Sequence, residues 1–536
     1  GKGQRVGNFV PFTDNGTIAN SCLFDKASSG RMNRDFTSAG TNTKKCTLSF
    51  WFKLGTSTTA SGNLISAWGG TGYLFQIFKY ADNHGSYPSS LMFQHYDGGS
   101  YNSQIRPNRS FEDRSKFYHC MYVWDSTEST NSDRIKIYID GDQITSFSTS
   151  SYPSQNDDFV LTDKQSSDNT TVALGTNASQ IGGTENQFYD GYLAEVNIVD
   201  GSALGPSTFG LTDTSTGRWI PKSLSGITYG TNGVRLTFAN TAGLTIGDDT
   251  SGNTNDFTIS NIATTDIVTD TPTDLYPILS DFQASYGGNY SEGNLKLDGS
   301  TNAQTSSGRS TLSFDVEDST GYYFEFRNMD TASFGSNFNG YGIVGTEADG
   351  VSPSSGSLFP NGGPHVVLQE DGNVRIRIGK DSSEVNLGGS TLPKTGNTST
   401  RDTVGVAVKS GKIWFAKNGI WGNANQGNPN SDGTPIVSGL SGRFRAAAFC
   451  YDDNNSLQEV NFGQRLALGG SATSDYSANN GGYFLYPPPT GFRALKQDNL
   501  PETGKGISGF VWAKSRDETR SHALYDSNRG AENYLA

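Results

Sequence analysis

A chain of 536 residues with a formal charge of −13, 4 Met and 5 His has room for about two to four domains, each able to bury its own core. The acidic balance argues against a nucleic-acid partner, since counterion release requires clustered Lys and Arg. No apolar run approaches the length that spans a bilayer, so membrane insertion is not expected. The 66 Gly, 31 Phe and 24 Tyr, together with frequent Ser, Thr and Asn, mark many turns between aromatic-rich strands. Helical periodicity is almost absent, which predicts an all-β chain.

Residues 1–20 form a lead segment without a charged-then-apolar signal, and the opening Gly1 in place of Met suggests a piece of a longer protein. From 21 to 210 the chain reads as strands at sandwich spacing, at 46–54, 63–68, 73–80, 91–96, 116–125, 134–140, 171–175 and 191–199. Leu48, Phe50 and Phe52 alternate with Thr47, Ser49, Trp51 and Lys53, giving one apolar face and one mixed face. Ile135, Ile137 and Ile139 alternate likewise before the Asp140-Gly141 turn. Cys22, Cys46, Cys120 and Cys450 are widely spaced and form no C-x-x-C pair, so buried free thiols are expected ahead of a disulfide or a metal site.

The pieces SFWFK, FYHCMYVWD, RIKIYIDGDQI and YDGYLAEVNIVDGSAL occur in the order found in laminin-G-like, or concanavalin A-like, jelly rolls. The resemblance covers most of 21–205. Residues 211–286 read as a β-rich connector. Within it, the run from Asp248 to Phe257 is rich in oxygen donors. Its spacing does not fit an EF-hand, and a hydrogen-bonded Asx/Gly loop is favoured over calcium.

Residues 287–465 hold strands at 311–316, 321–326, 341–345, 365–368, 373–378 and 444–449. They also hold a hairpin over 402–419, in which Val404, Val406 and Val408 share one face. Trp414 and Phe415 fall on opposite faces, so one of them is core. The order GYYFEF, GYGIVG, DTVGVAV…GKIWFAKNG, RFRAAAF, VNFGQR resembles SPRY domains, which are partner-binding β-sandwiches. The fold class expected is therefore all-β, with two antiparallel jelly-roll sandwiches in tandem, followed by an irregular tail over 466–536. That tail contains GFVWAKSRDETRSHALYDSNRG, which resembles a segment following lectin-like modules in marine phage structural proteins.

Taken together, the modules resemble a tailed-phage tail fibre or virion appendage. The resemblance implies a virion location, other virion proteins as partners, a host-surface glycan as ligand, and a homo-oligomer, trimeric by analogy with fibres. The aromatic-plus-amide loops proposed for sugar binding are Tyr96 and Asp97 with Tyr101 and Asn102, and Trp421 with Asn423 and Asn425. No cofactor is expected. His95, His119, His365 and His522 lack a nearby nucleophile signature and read as satisfied structural residues. The chain is read as a non-enzyme. Asp190 and Glu195 flank one strand, but no jelly-roll glucanase motif accompanies them. The alternatives are a capsid decoration or scaffold protein, and a polysaccharide depolymerase.

Overall fold

The computed structural model describes residues 16–501 except 57–60, 165–168, 184–185, 215–216, 240, 242, 281–288, 300–305, 330–338, 347–362, 380–381, 388–401, 422–425, 451–456 and 466–480, together with the strands Phe510–Ala513, Ala523–Asp526 and Tyr534–Leu535. Within them the protein is nearly all β, with short 3-10 turns as its helical elements. Among the described residues, no helix is long and apolar enough to cross a membrane.

The first sandwich is organised around Lys45–Leu54. This strand pairs antiparallel with Tyr118–Asp125 on one side and Gly191–Asp200 on the other. Leu48, Phe50 and Phe52 turn inward, where Phe52 stacks on Tyr118 at 5.4 Å. The facing sheet runs Phe147–Ser151, Ser100–Pro107, Leu91–Asp97, Leu74–Lys79, Gly62–Trp68, Thr170–Leu174 and Arg31–Phe36. Alternation alone explains the inner layer. The mixed outer face is also buried, however: Thr47, Ser49 and Lys53 are at most 1% exposed.

That second layer of burial comes from the segment after the sandwich: Ser202 and Leu204 bond Thr47, and Asp270 and Tyr276 bond Lys53. The segment expected as a connector over 211–286 does more than connect: it adds Val234–Leu236 to Gly191–Asp200, Thr258–Ser260 to Arg31–Phe36, and Ile267–Val268 to Ser21–Phe24. Leu279–Ser280 then joins Ser306–Ser310 in the second sandwich. Trp51, Tyr192 and Val268 from the first unit lie in one continuous apolar cluster with Tyr276, Ile278, Leu295 and Phe324. A single core thus runs through the junction.

In the second sandwich Gly321–Asn328 lies between Leu457–Asn461 and Thr403–Lys409, and the latter closes a hairpin with Lys412–Lys417. Ser410 and Gly411 turn the hairpin at φ 50° and 72°, as a tight two-residue loop requires. Val404, Val406 and Val408 are fully buried, each contributing about 1.5–3 kcal/mol. Phe415 pairs with Val406, and Trp414 with Ala407. Both aromatics are 1% exposed, so both faces are covered. Phe492 packs on Trp414 at 6.3 Å, and the indole N–H donates to the Gly433 carbonyl at 2.9 Å.

Two local expectations change. Of the strand expected over 311–316, only Phe314–Asp315 forms; a separate strand, Ser306–Ser310, ends just before it. The Ser310 hydroxyl bonds the Leu312 carbonyl at 2.7 Å, a local side-chain bond that competes with the ladder. The tail is partly ordered into the sandwich: Phe492–Ala494 pairs parallel with Gly321–Asn328, a departure from the otherwise antiparallel pattern. Gly321 is needed there, because a Cβ would meet the Phe492 ring at 2.5 Å.

Candidate ligand-binding site

The hairpin formed by Leu91–Asp97 and Ser100–Pro107 turns through Gly98 and Gly99, at φ 59° and 90°. Glycine meets that requirement at no steric cost. His95 pairs with Ser103, whereas Tyr96 pairs with Tyr101, so Asn102 is the extra residue of a bulge. The bulge sets Tyr96 directly opposite Tyr101, edge to face at 5.3 Å. The Tyr96 hydroxyl donates to the Gly99 carbonyl at 2.5 Å, which ties the tip together. Tyr101 is 57% exposed. A large aromatic held in place yet open to solvent is suited to stacking on an apolar ring face.

The polar side of the tip comes from a distant segment. The Asn102 amide donates to the Asp157 carboxylate, and the Ser126 hydroxyl fixes the Asp157 carbonyl at 2.6 Å. Burial, and then neighbouring Asp157, raise Asp97; burial raises Asp157, with Asp158 adding to it. Burial and Asp158 push Asp163 up to about 6. Asp158 goes the other way: burial opposes ionisation, but Lys44 at 2.8 Å and Thr43 hold it below the usual range. The tip therefore combines an exposed aromatic, an amide and carboxyl oxygens able to accept hydroxyl protons.

Tyr96, Asp97, Tyr101 and Asn102 are thus brought together. Asp157, Asp158, Asp163 and Lys44 were missed, because nothing in the spacing of an SQNDDF turn says which loop it meets. The second proposed loop is placed differently. Trp421 is half-buried against the core, 6.2 Å from Tyr323, while Ile420 beside it is 74% exposed. Asn423 and Asn425 lie outside the described residues. Gln426 bonds both backbone groups of Phe415, with its Oε1 accepting at 3.1 Å. This part of the loop is pinned to the hairpin.

The oxygen-rich run from Asp248 to Phe257 is a hydrogen-bonded loop. Asp249 accepts from the backbone N–H groups of Arg235, Ser251 and Asn255, and Asp256 from that of Asp249. Among the described residues, no cluster of three or more His, Cys, Asp or Glu is arranged for a metal. All four cysteines are buried thiols outside any disulfide.

His119 is satisfied, bonded to Ser49 at 2.9 Å and to the Trp219 indole at 3.0 Å. His95 is not hydrogen-bonded among the described residues. It is held by packing, 5.1 Å from Trp124 and 5.6 Å from Phe159, and burial pushes it down to about 3. His365 Nδ1 donates to the Gly363 carbonyl, 3.0 Å away; His522 lies outside the described residues. Asp190 accepts the Gly293 N–H at 3.0 Å, whereas Glu195 pairs with Arg235 at 2.6 Å. The two carboxylates thus serve separate partners.

Residues 33–207 match the family model described as the concanavalin A-like lectin/glucanases superfamily, Laminin_G_3. No curated protein sequence matches the chain. Among solved structures, a heptameric SAP-like pentraxin from Limulus polyphemus is similar at 16% identity and a TM-score of 0.25, over 35% of this chain and 79% of that one. A putative carbohydrate binding protein from Bacteroides ovatus is similar at 14% identity and a TM-score of 0.27, over 46% and 61%. Domains LG4-5 of the mouse laminin alpha1 chain are similar at 10% identity and a TM-score of 0.26, over 85% of each chain. The first sandwich of this protein is a concanavalin A-like lectin-fold module of the laminin-G kind.

Proposed function

We propose that the protein is a recognition module of a tailed-phage appendage, binding a host-surface glycan through the 96–102 hairpin tip. The observation that carries the reading is Tyr101, exposed at the end of a lectin-fold hairpin beside the Asn102–Asp157 pair. A sugar ring stacks on the phenol while its hydroxyls bond the amide and carboxylates. Such a shallow site binds weakly, and several copies on a homo-oligomer raise the avidity. The phage setting is supported by the tandem order of laminin-G-like and SPRY-like motifs and by the GFVWAKSR segment. The test is binding of the whole chain to host-surface polysaccharide with and without Tyr101→Ala. Loss of binding with an unchanged fold supports the tip. Equal binding, or release of reducing ends by the parent protein, rejects the reading in favour of another site or a depolymerase.

A second reading is an assembly role inside the virion. Ile378, Val385 and Leu387 are 49%, 52% and 41% exposed around the Val385–Asn386 edge strand, and exposed apolar edges favour protein partners. Glycan-independent capture of another particle protein, lost in Val385→Lys, would favour it.

A further inference from the structure

The Gly191–Asp200 strand contains one residue more than its partner requires. Ala194 pairs with Trp51 and Asn197 with Ser49, so Glu195 and Val196 together span a single step. Val196 returns to the core at 0% exposure, and Glu195 takes φ 45°. That conformation is costly for a residue with a Cβ, and such strain concentrates at functional sites. Bulges of this kind re-aim a side chain.

What Glu195 is aimed at is a cavity of about 260 Å³ on the outer face of the sheet, lined among others by Trp51, Asn197, Phe209, Lys222, Leu224 and Arg235. Glu195, Arg235 and Asn197 are each held in place by a partner. Arg235 Nε meets Glu195 Oε1 at 2.6 Å, and the Arg235 backbone N–H is held by Asp249 at 2.9 Å. The Asn197 amide donates to the Glu195 carbonyl at 3.0 Å and its oxygen accepts the Tyr229 hydroxyl at 2.6 Å. Trp51 stacks on His119 at 4.7 Å, and His119 in turn accepts from or donates to Ser49. Pre-organisation of this sort lowers the cost of binding.

We propose that this cavity binds a single neutral sugar ring, with vicinal hydroxyls donating to the Glu195 carboxylate and accepting from the Arg235 guanidinium. Glu195 and Arg235 neutralise each other, and Lys222, the remaining charged lining residue, is exposed and donates to the Ser207 carbonyl at 3.0 Å outside the wall, so the charge pattern favours a neutral ligand. The volume lies just under the roughly 300–1,000 Å³ of drug-sized pockets, which suits one ring and not a chain. Glu195 is the one carboxylate among the described lining residues, so the paired carboxylates of a glycosidase are lacking there and the ring would be held intact. The site is separate from the hairpin tip, which belongs to the opposite sheet.

The experiment uses the whole chain carrying Tyr101→Ala, so that the tip does not contribute. Glucose, galactose and mannose are titrated individually by calorimetry and saturation-transfer NMR, with glucuronic acid as the charged control. One neutral hexose should bind at one site per chain with Kd about 1 mM, more tightly than glucuronic acid. Glu195→Gln should weaken it about tenfold or more, the loss of a charge-assisted bond. Leu224→Trp, which fills the cavity from its half-buried wall and leaves the Glu195–Arg235 pair in place, decides the matter should Glu195→Gln fail to fold. Absence of any hexose binding, binding unchanged in Leu224→Trp, or preference for glucuronic acid overturns the proposal. Hexose binding that survives Tyr101→Ala and disappears in Leu224→Trp supports this cavity whatever the outcome at the tip.

Discussion

The Lys53 ammonium lies 2.6 Å from the Asp270 carboxylate, and neither side chain has any exposed surface. Lys53 also donates to the Tyr276 carbonyl at 2.9 Å, while the second Asp270 oxygen accepts the Tyr276 N–H at 3.1 Å. The pair ties the outer face of the first sandwich to the segment leading into the second. Around it, the Tyr192 hydroxyl donates to the Gly293 carbonyl at 3.0 Å, and Thr56 and Asn294 exchange bonds of 2.7 Å in both directions. These contacts and the shared apolar cluster make the two sandwiches one mechanical unit.

Removing one partner leaves a buried charge uncompensated, at a cost of about 3–5 kcal/mol. Lys53→Met should therefore lower stability to denaturant strongly, and Lys53→Met with Asp270→Asn should recover much of the loss. The parent should unfold in one transition reported alike by Trp124 and Trp414 environments. Equal losses in the single and double variants, or two separated transitions, would contradict this coupling.

Asp190 makes the same junction sensitive to pH. Burial, with Asp25 adding to it, raises its carboxyl from 3.8 to about 7. A folded value above the unfolded one gives stability that is present at low pH and lost as pH rises through about 7. Asp190→Asn keeps an acceptor for the Gly293 N–H and abolishes that titration. The variant should melt above the parent at about pH 8, and the advantage should vanish near pH 4. Glu325, raised to about 7 by burial, follows the same sign in both proteins. A parent that gains stability on Asp190 ionisation would reverse the assignment.

The 402–419 hairpin gives the sharpest test of the second sandwich. A carboxylate at Val406 would sit opposite Phe415 in a fully buried layer, and an unpaired buried charge is far costlier than the lost methyl packing. Val406→Asp should prevent folding of this sandwich, read as loss of near-ultraviolet circular dichroism and of soluble expression. Ordinary melting of the variant would remove the hairpin assignment.

Local alternation explains what was legible in the sequence. Leu48, Phe50 and Phe52, the isoleucines at 135–139 and the three hairpin valines each declare a face within a few residues. What alternation does not encode is which loop covers the opposite face. Ser49 and Lys53 look like exposed positions, and are buried because His119 and Trp219 close over the one while Asp270 and Tyr276 close over the other. The same limit applied to the sites. Tyr96, Asp97, Tyr101 and Asn102 are neighbours in the chain and were found together, whereas Asp157 reaches them across 55 positions. The Glu195 bulge was invisible, since an extra residue is defined by its partner strand and not by its own.

Tyr101 and Trp421 were proposed on the same compositional grounds, and the structure separates them. Tyr101 is mostly exposed and touches chiefly Tyr96, so Tyr101→Ala removes little buried area and should leave the melting temperature close to the parent's. Its effect should fall on glycan binding alone, through the lost stacking face. Trp421 packs on Tyr323 and the second core. Trp421→Ala should cost about 1–3 kcal/mol, less than the 3–5 of a fully buried tryptophan. Melting curves and binding to host polysaccharide, measured side by side on the two variants, therefore move in opposite patterns. A destabilised Tyr101→Ala, or a stable Trp421→Ala that no longer binds, would shift the recognition surface from the first sandwich to the second.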